Sequence, residues 1–233
     1  MLVALAGAVL LAGAALAGRR EPTIVVGFPT RSDGTAQQRL GWVAAHEAGH
    51  AIVAWHCPLV GQIKGMFIEP LPPGGAALWH GRVDHDWDKG VSENERLAWD
   101  AVISLAGLAA ETLAFGRVHT LLMRDIDDAV RCVRALCRRG VGWPLADYGR
   151  ARVPIPFEVR CRPDEGDVLG RAWSVACAIV DDYGARHAAL TEAIQARRRM
   201  EERQIAVLLG ARPKHARACA SNERAVSAGM FGS

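Results

Sequence analysis

Between residues 36 and 55, apolar side chains at Leu40, Val43, Ala44, Ile52 and Val53 recur at near-helical spacing, and Pro58 closes the run. This predicts a helix over 36–55 with Thr35 just ahead of it. Residues 62–69 alternate in polarity and read as a strand. Pro70, Pro72, Pro73, Gly74 and Gly75 then form a turn, and residues 76–85 read as a second strand. The two strands either pair or form separate edges of a small sheet. A second long helix is expected over 92–115, with Ser92 as N-cap, Glu95 completing a capping box and Gly116 as the stop. Over 125–139 a third helix places Ile126, Ala129, Val130, Val133 and Leu136 on one face, with Gly140 just past its end. Residues 141–163 carry several prolines and read as a loop. Two further helices are expected over 164–183 and 186–200, broken at Gly184, and a short one over 202–209. The expected fold class is mainly α with a small β-sheet, that is α+β.

The ends differ from this middle. Residues 2–17 carry no charge, and Gly18-Arg19-Arg20 follow. Eighteen helical residues span about 27 Å, the short end of a membrane crossing. No Lys or Arg precedes the run, so positive charge on its far side places the rest of the chain in the cytoplasm, anchored through residues 2–18. Ala15-Leu16-Ala17 also fits a cleavage site, so the alternative is a signal peptide followed by export. A misplaced start or a buried helix is the third reading. Residues 21–34 read as a linker, 35–210 as the folded domain, and 211–233 as a disordered basic tail.

Composition narrows the functional classes. Half of the 233 residues are hydrophobic and 23% are charged, the balance of a chain that buries a core. A net charge of +3 is too small to indicate a nucleic-acid partner. No Gly-x-x-x-x-Gly-Lys phosphate loop occurs, which excludes an ATPase of that kind on this chain. None of the six cysteines forms a Cys-x-x-Cys pair, so free, partly buried thiols are expected, as in a reducing compartment. The tryptophans read as packing residues.

One motif carries chemistry. His46-Glu47-Ala48-Gly49-His50 is His-Glu-x-x-His on a predicted helix. Residues four apart lie about 40° apart around the helix axis and about 6 Å along it, so both imidazoles face one way. Two neutral imidazoles and a carboxylate suit Zn2+ with a fourth position for water, and Glu47 lies close enough to take a proton from that water. Candidates for the third ligand are Asp125, Glu111, His80, His85 and His119. Glu111, set among small apolar residues, either ligates the metal or accepts a hydrogen bond from a ligand histidine. Asp125 also reads as a helix cap. His80 and His85, five apart, face opposite sides of a regular strand, so at most one points toward the metal.

Three segments together resemble the FtsH-type zinc metallopeptidases. Val43-Ala44-Ala45-His46-Glu47-Ala48-Gly49-His50-Ala51-Ile52-Val53 is similar to their zinc helix. Ala106-Gly107-Leu108-Ala109-Ala110-Glu111-Thr112-Leu113-Ala114-Phe115-Gly116 is similar to their Gly-Gly-Arg-Ala-Ala-Glu-Glu-x-x-Phe-Gly segment. Thr120, followed by Asp125-Ile126-Asp127-Asp128-Ala129, is similar to their Thr-Gly-Ala-Ser-Asn-Asp-Leu-x-x-Ala segment. The resemblance implies a helical, zincin-like peptidase domain in which His46, His50 and Asp125 hold zinc, Glu47 is the catalytic base and Glu111 supports a ligand from behind. It also implies that a substrate strand adds to an edge strand within 76–85. Two departures stand out: Leu121-Leu122-Met123-Arg124 replaces Gly-Ala-Ser-Asn, and Leu108 replaces the arginine. The family's ATPase module has no counterpart here. The expected activity is ATP-independent endoproteolysis of unfolded or flexible polypeptides, with a separate ATPase or adaptor and a homo-oligomer as further partner classes. The alternatives are a non-catalytic zinc-bound fold that binds peptides, and an interaction protein without metal.

Overall fold

The computed structural model describes residues 34–71, 79–118, 123–145, 152–157 and 159–213. The expected anchor at 2–18, the linker through 33, His119 and Thr120, Cys219 and the tail from 214 lie outside the described residues. Within them the fold is α+β: six helices and three strands in the order α1 (Ala36–His56), β1 (Val60–Pro70), β2 (Trp79–Trp87), α2 (Glu93–Phe115), α3 (Met123–Arg138), α4 (Pro163–Asp182), α5 (Gly184–Arg197), β3 (Arg199–Glu201) and α6 (Glu202–Leu209).

α1 is the hub. Thr35 caps it, accepting from the Gln38 amide at 3.2 Å while the Gln38 side chain accepts from the Thr35 amide at 2.8 Å. From Val43 to Trp55 every residue is buried, and most are small. A helix apolar on all sides must be covered on all sides, and α2, α5 and the sheet cover this one. The alanines let α2 come close. A Cβ on Gly49 would lie 2.5 Å from the Ala106 carbonyl oxygen, so only glycine permits this approach.

α2 begins at the Ser92 cap and ends at Gly116, whose φ of 72° satisfies the left-handed terminus. It is long and apolar enough to cross a membrane, but two thirds of its apolar window (67%) is buried inside the fold, as a core helix requires. The expected apolar face of α3 (Ile126, Ala129, Val130, Val133 and Leu136) is fully in the core. α3 starts two residues earlier than its periodicity predicts, at Met123.

The sheet corrects two expectations. The second strand runs on to Trp87 rather than ending at 85, because Trp87 pairs with Val60 at the start of β1; it is described from Trp79, and residues 76–78 lie outside the described residues. The helix expected over 186–200 stops at Arg197. Arg198 then takes a left-handed φ of 65°, and Arg199–Glu201 form a third strand that pairs Met200 with Met66. Both methionines are completely buried. A three-residue strand with one buried side chain has no period to read, and charge on both sides of Met200 resembles a solvated helix. Among the described residues the strand order is β2-β1-β3, so β2 is an edge of this sheet. Arg212, the second residue of the expected tail, is docked: its guanidinium lies 4.6 Å from the centre of the Trp55 ring and donates to the Val60 carbonyl. The five described cysteines are free, and burial pushes the Cys57 thiol up to about 12.

Candidate metal centre

α1 presents His46 and His50 on one face, one turn apart. Each ring is fixed from behind. The Nδ1–H of His50 donates to the Ile103 carbonyl of α2 at 2.7 Å. A carbonyl only accepts, so that proton sits on Nδ1 and Nε2 of the neutral ring is a bare lone pair. His46 Nδ1 donates at 2.7 Å to Glu111 Oε1, also on α2, with both side chains sealed from solvent. In the neutral ring with that proton in place Nε2 is bare, the form that binds a metal; in the doubly protonated ring Nε2–H donates to Asp125. The two Nε2 atoms lie 3.0 Å apart. Asp125 Oδ2, from the first turn of α3, lies 2.8 Å from Nε2 of His46 and 3.4 Å from Nε2 of His50.

Three acceptor atoms therefore converge with nothing of opposite charge among them. The arrangement calls for a cation, and its separations suit one. Four ligands at about 2.0–2.2 Å in a tetrahedron are about 3.3–3.6 Å apart, close to the spacings found. His46, His50 and Asp125 form the one such group of potential metal ligands among the described residues.

Titration reflects the same crowding. Burial opposes charge on His46, yet the hydrogen bonds to Asp125 and Glu111 outweigh it and hold its pKa well above the ordinary value. His50 is also raised, against its own burial, by Asp125. Asp125 is held well below the usual carboxylate range, its partial burial overcome by His50 and His46. Without a metal, protons supply the missing positive charge.

Glu47 points to the other side of this cluster. It is 2% exposed, its Oε2 has no hydrogen-bond partner, and burial raises its pKa. An orphaned buried acceptor costs about 1–3 kcal/mol, which marks a place where another molecule completes the bonding. The covering wall is β2: a Cβ on Gly81 would collide with the Glu47 carboxyl group. Likewise a Cβ on Gly107 would strike the His46 ring. Glu47, His50 and Asp125 open into a cleft of about 470 Å³ between α1, β2 and the start of α3, whose lining includes His80, Gly81, Arg82, Ser104 and Arg124.

The structure separates the candidates for a third ligand. Asp125 stands with the two histidines, whereas Glu111 lies behind His46. His80 is exposed in the cleft wall and outside the cluster. His85 is half-buried, its pKa lowered by burial and by His50, and it too is outside the cluster. Sequence reasoning missed Gly81 and the Ile103 carbonyl. An isolated glycine in a strand signals close approach of another group, so Gly81 was findable. A backbone acceptor carries no such mark.

No family model matches the chain. It is 35% identical over 94 residues to the ATP-dependent zinc metalloprotease FtsH of Ralstonia pickettii, covering 40% of this chain and 13% of the relative. It is 26% identical over 183 residues to the protein of that name from Rhodothermus marinus, covering 78% of this chain and 25% of the relative. The Corynebacterium glutamicum protein of that name is 28% identical over 144 residues, covering 61% and 15%. The chain thus spans a quarter or less of these relatives' length, and the matches relate it to FtsH zinc metalloproteases at this distance.

Proposed function

We propose that residues 35–210 form a zincin-like, FtsH-type peptidase domain that hydrolyses peptide bonds in flexible or unfolded polypeptides, with zinc as cofactor and no ATP requirement of its own. The observation that carries this reading is the convergence of two bare imidazole nitrogens and one carboxylate oxygen beside the unpartnered Glu47 Oε2. His46, His50 and Asp125 would hold the zinc, which when bound polarises a carbonyl and acidifies water.

The chain's own residues do the rest. Glu47 Oε2 accepts the proton of the attacking water and returns it to the departing amine nitrogen. Its raised pKa brings it closer to neutrality, where one group can serve as base and then acid. Glu111 and the Ile103 carbonyl fix both imidazoles in the tautomer that leaves Nε2 free. The free edge of β2 offers backbone groups for an extended polypeptide to pair with, and Gly81 on that edge lies against Glu47, so a paired substrate passes the base.

Cleavage of unstructured casein without nucleotide, measured with zinc content, tests the reading. We expect about one zinc per chain, with cleavage lost on chelation and restored by zinc. A protein that holds zinc but leaves casein intact overturns the proposal. Gly81→Ala probes the β2 wall. The added methyl displaces the Glu47 carboxyl, and misplacement of about 1 Å can cost roughly 100-fold in rate. Zinc content should stay at the parent value, because the atoms nearest the added methyl belong to Glu47 and not to a proposed ligand.

A further inference from the structure

The charges lining the cleft are not all held equally firmly. Arg82 and Asp84 pair at 3.2 Å on β2. Asp128 is held by Arg131 at 2.9 Å, one turn along α3. The carboxylates of Glu47 and Asp125 are balanced once a divalent cation is bound. With that cation the lining charges sum to zero, yet one of them is only loosely held. Arg124 lines the same cleft, its side chain is 84% exposed, and its Nε reaches Asp128 at only 3.9 Å, the outer limit of an ion pair. It is the residue before Asp125, at the position where the FtsH-type segment has asparagine, so this cation belongs to the chain itself.

We infer that Arg124 is a specificity-determining residue that selects polypeptide segments carrying a carboxylate beside the bond presented to Glu47. The inference rests on the peptidase reading for the placement of that bond. A guanidinium presents a planar fork that matches a carboxylate with two parallel hydrogen bonds. Its weak hold on Asp128 leaves the fork free to turn toward a ligand, and Asp128 keeps Arg131 when it does. The carboxylate comes from a Glu or Asp side chain or from a chain end. The α1–β2 cleft is an open groove along an edge strand, which suits the interior of an extended chain and hence the side chain. For a solvent-exposed pair the selection is modest, roughly two- to fivefold.

The test uses the full zinc-loaded chain carrying Glu47→Gln, so that binding is read without turnover. Fluorescent peptides of one scaffold, blocked at both ends, carry a single Glu, Gln or Lys at successive central positions, and affinity is read by anisotropy. We expect Glu at one or two positions to bind about threefold tighter than Gln. The advantage should vanish with Arg124→Gln, pass to Lys with Arg124→Glu, and shrink in high salt. Equal affinities for the three series, a preference that survives Arg124→Gln, or no binding of any peptide overturns the inference. A further Gln peptide left unblocked at its C-terminus is the control: an Arg124-dependent gain confined to it also overturns the inference, because the selected group is then the chain end. Cleavage of the same peptides by the parent is scored separately. Peptides bound with the expected preference but never cut leave this inference standing and sink the peptidase reading.

Discussion

Glu47→Gln is expected to lower the rate of casein cleavage by roughly 10²–10⁴-fold, the usual contribution of a positioned acid–base group, while zinc content stays at the parent value. Two features make the outcome specific. Glu47 is not one of the three residues that converge on the metal position, and its Oε2 has no partner inside the protein. The substitution therefore removes proton transfer without removing one of the three proposed ligands. The folded state should not suffer either. Glu47 is buried with its pKa raised, so its charged form is disfavoured there, and a neutral amide of the same shape removes that burden. Thermal unfolding of the zinc-loaded variant at or above the parent temperature, together with lost cleavage, is the expected pair of results. A variant that cuts at more than a tenth of the parent rate would remove Glu47 from the mechanism.

Asp125→Ala is expected to strip the site of metal. Altering a group behind a ligand, as Glu111→Gln would, typically costs roughly 10–100-fold in affinity. Loss of a ligand atom should exceed that, leaving the variant nearly free of zinc and inactive in dilute solution. Metal content after dialysis against a weak chelator measures it, and a variant that keeps the parent's zinc would remove Asp125 from the ligand set. The same residue shapes the response to pH.

In the zinc-free parent His46 lies between Glu111 and Asp125 with its pKa raised. Its protonated form contributes stability that is complete below the unfolded value of about 6.5 and is lost as pH rises through the raised native value. Asp125, with its pKa lowered, is the other side of the same interaction. Its contribution is present above about 3.9 and is lost as pH falls through the native value. The zinc-free parent should therefore be most stable between these limits and should melt earlier as the solution turns alkaline. Zinc replaces the proton, so the loaded protein should not show that alkaline loss. Zinc affinity should fall toward acid pH as protons compete for the imidazoles. In Asp125→Ala the alkaline loss should be smaller, because only Glu111 still holds the charged ring.

Much of the fold was legible in local pattern. The Thr35 and Ser92 caps, the stop at Gly116 and the apolar stripe of α3 each depend on residues within a turn or two of one another, and such signals survive in a sequence read alone. The pairing of His46, Glu47 and His50 on one helix is legible for the same reason, since helix geometry fixes residues four apart. The resemblance at Glu111 and Asp125 marked both residues without a distance between either one and the histidines.

The sequence by itself determined the placing of His46, Glu47 and His50 together on α1, the principal helices and the α+β class. Only the tertiary structure decided that Asp125 stands with the two Nε2 atoms while Glu111 stands behind His46, that Gly81 walls in Glu47, and that residues 199–201 leave the helical pattern to pair with β1. These facts link residues from 34 positions apart, for Glu47 and Gly81, through 65 and 79 for His46 with Glu111 and Asp125, to 134 for Met66 and Met200. They depend on how closely α2 and β2 approach α1 and where α3 begins. Those distances follow from the whole core settling at once, through residues such as Gly49, Gly107 and Met200, whose local surroundings in the sequence say nothing about what they will meet.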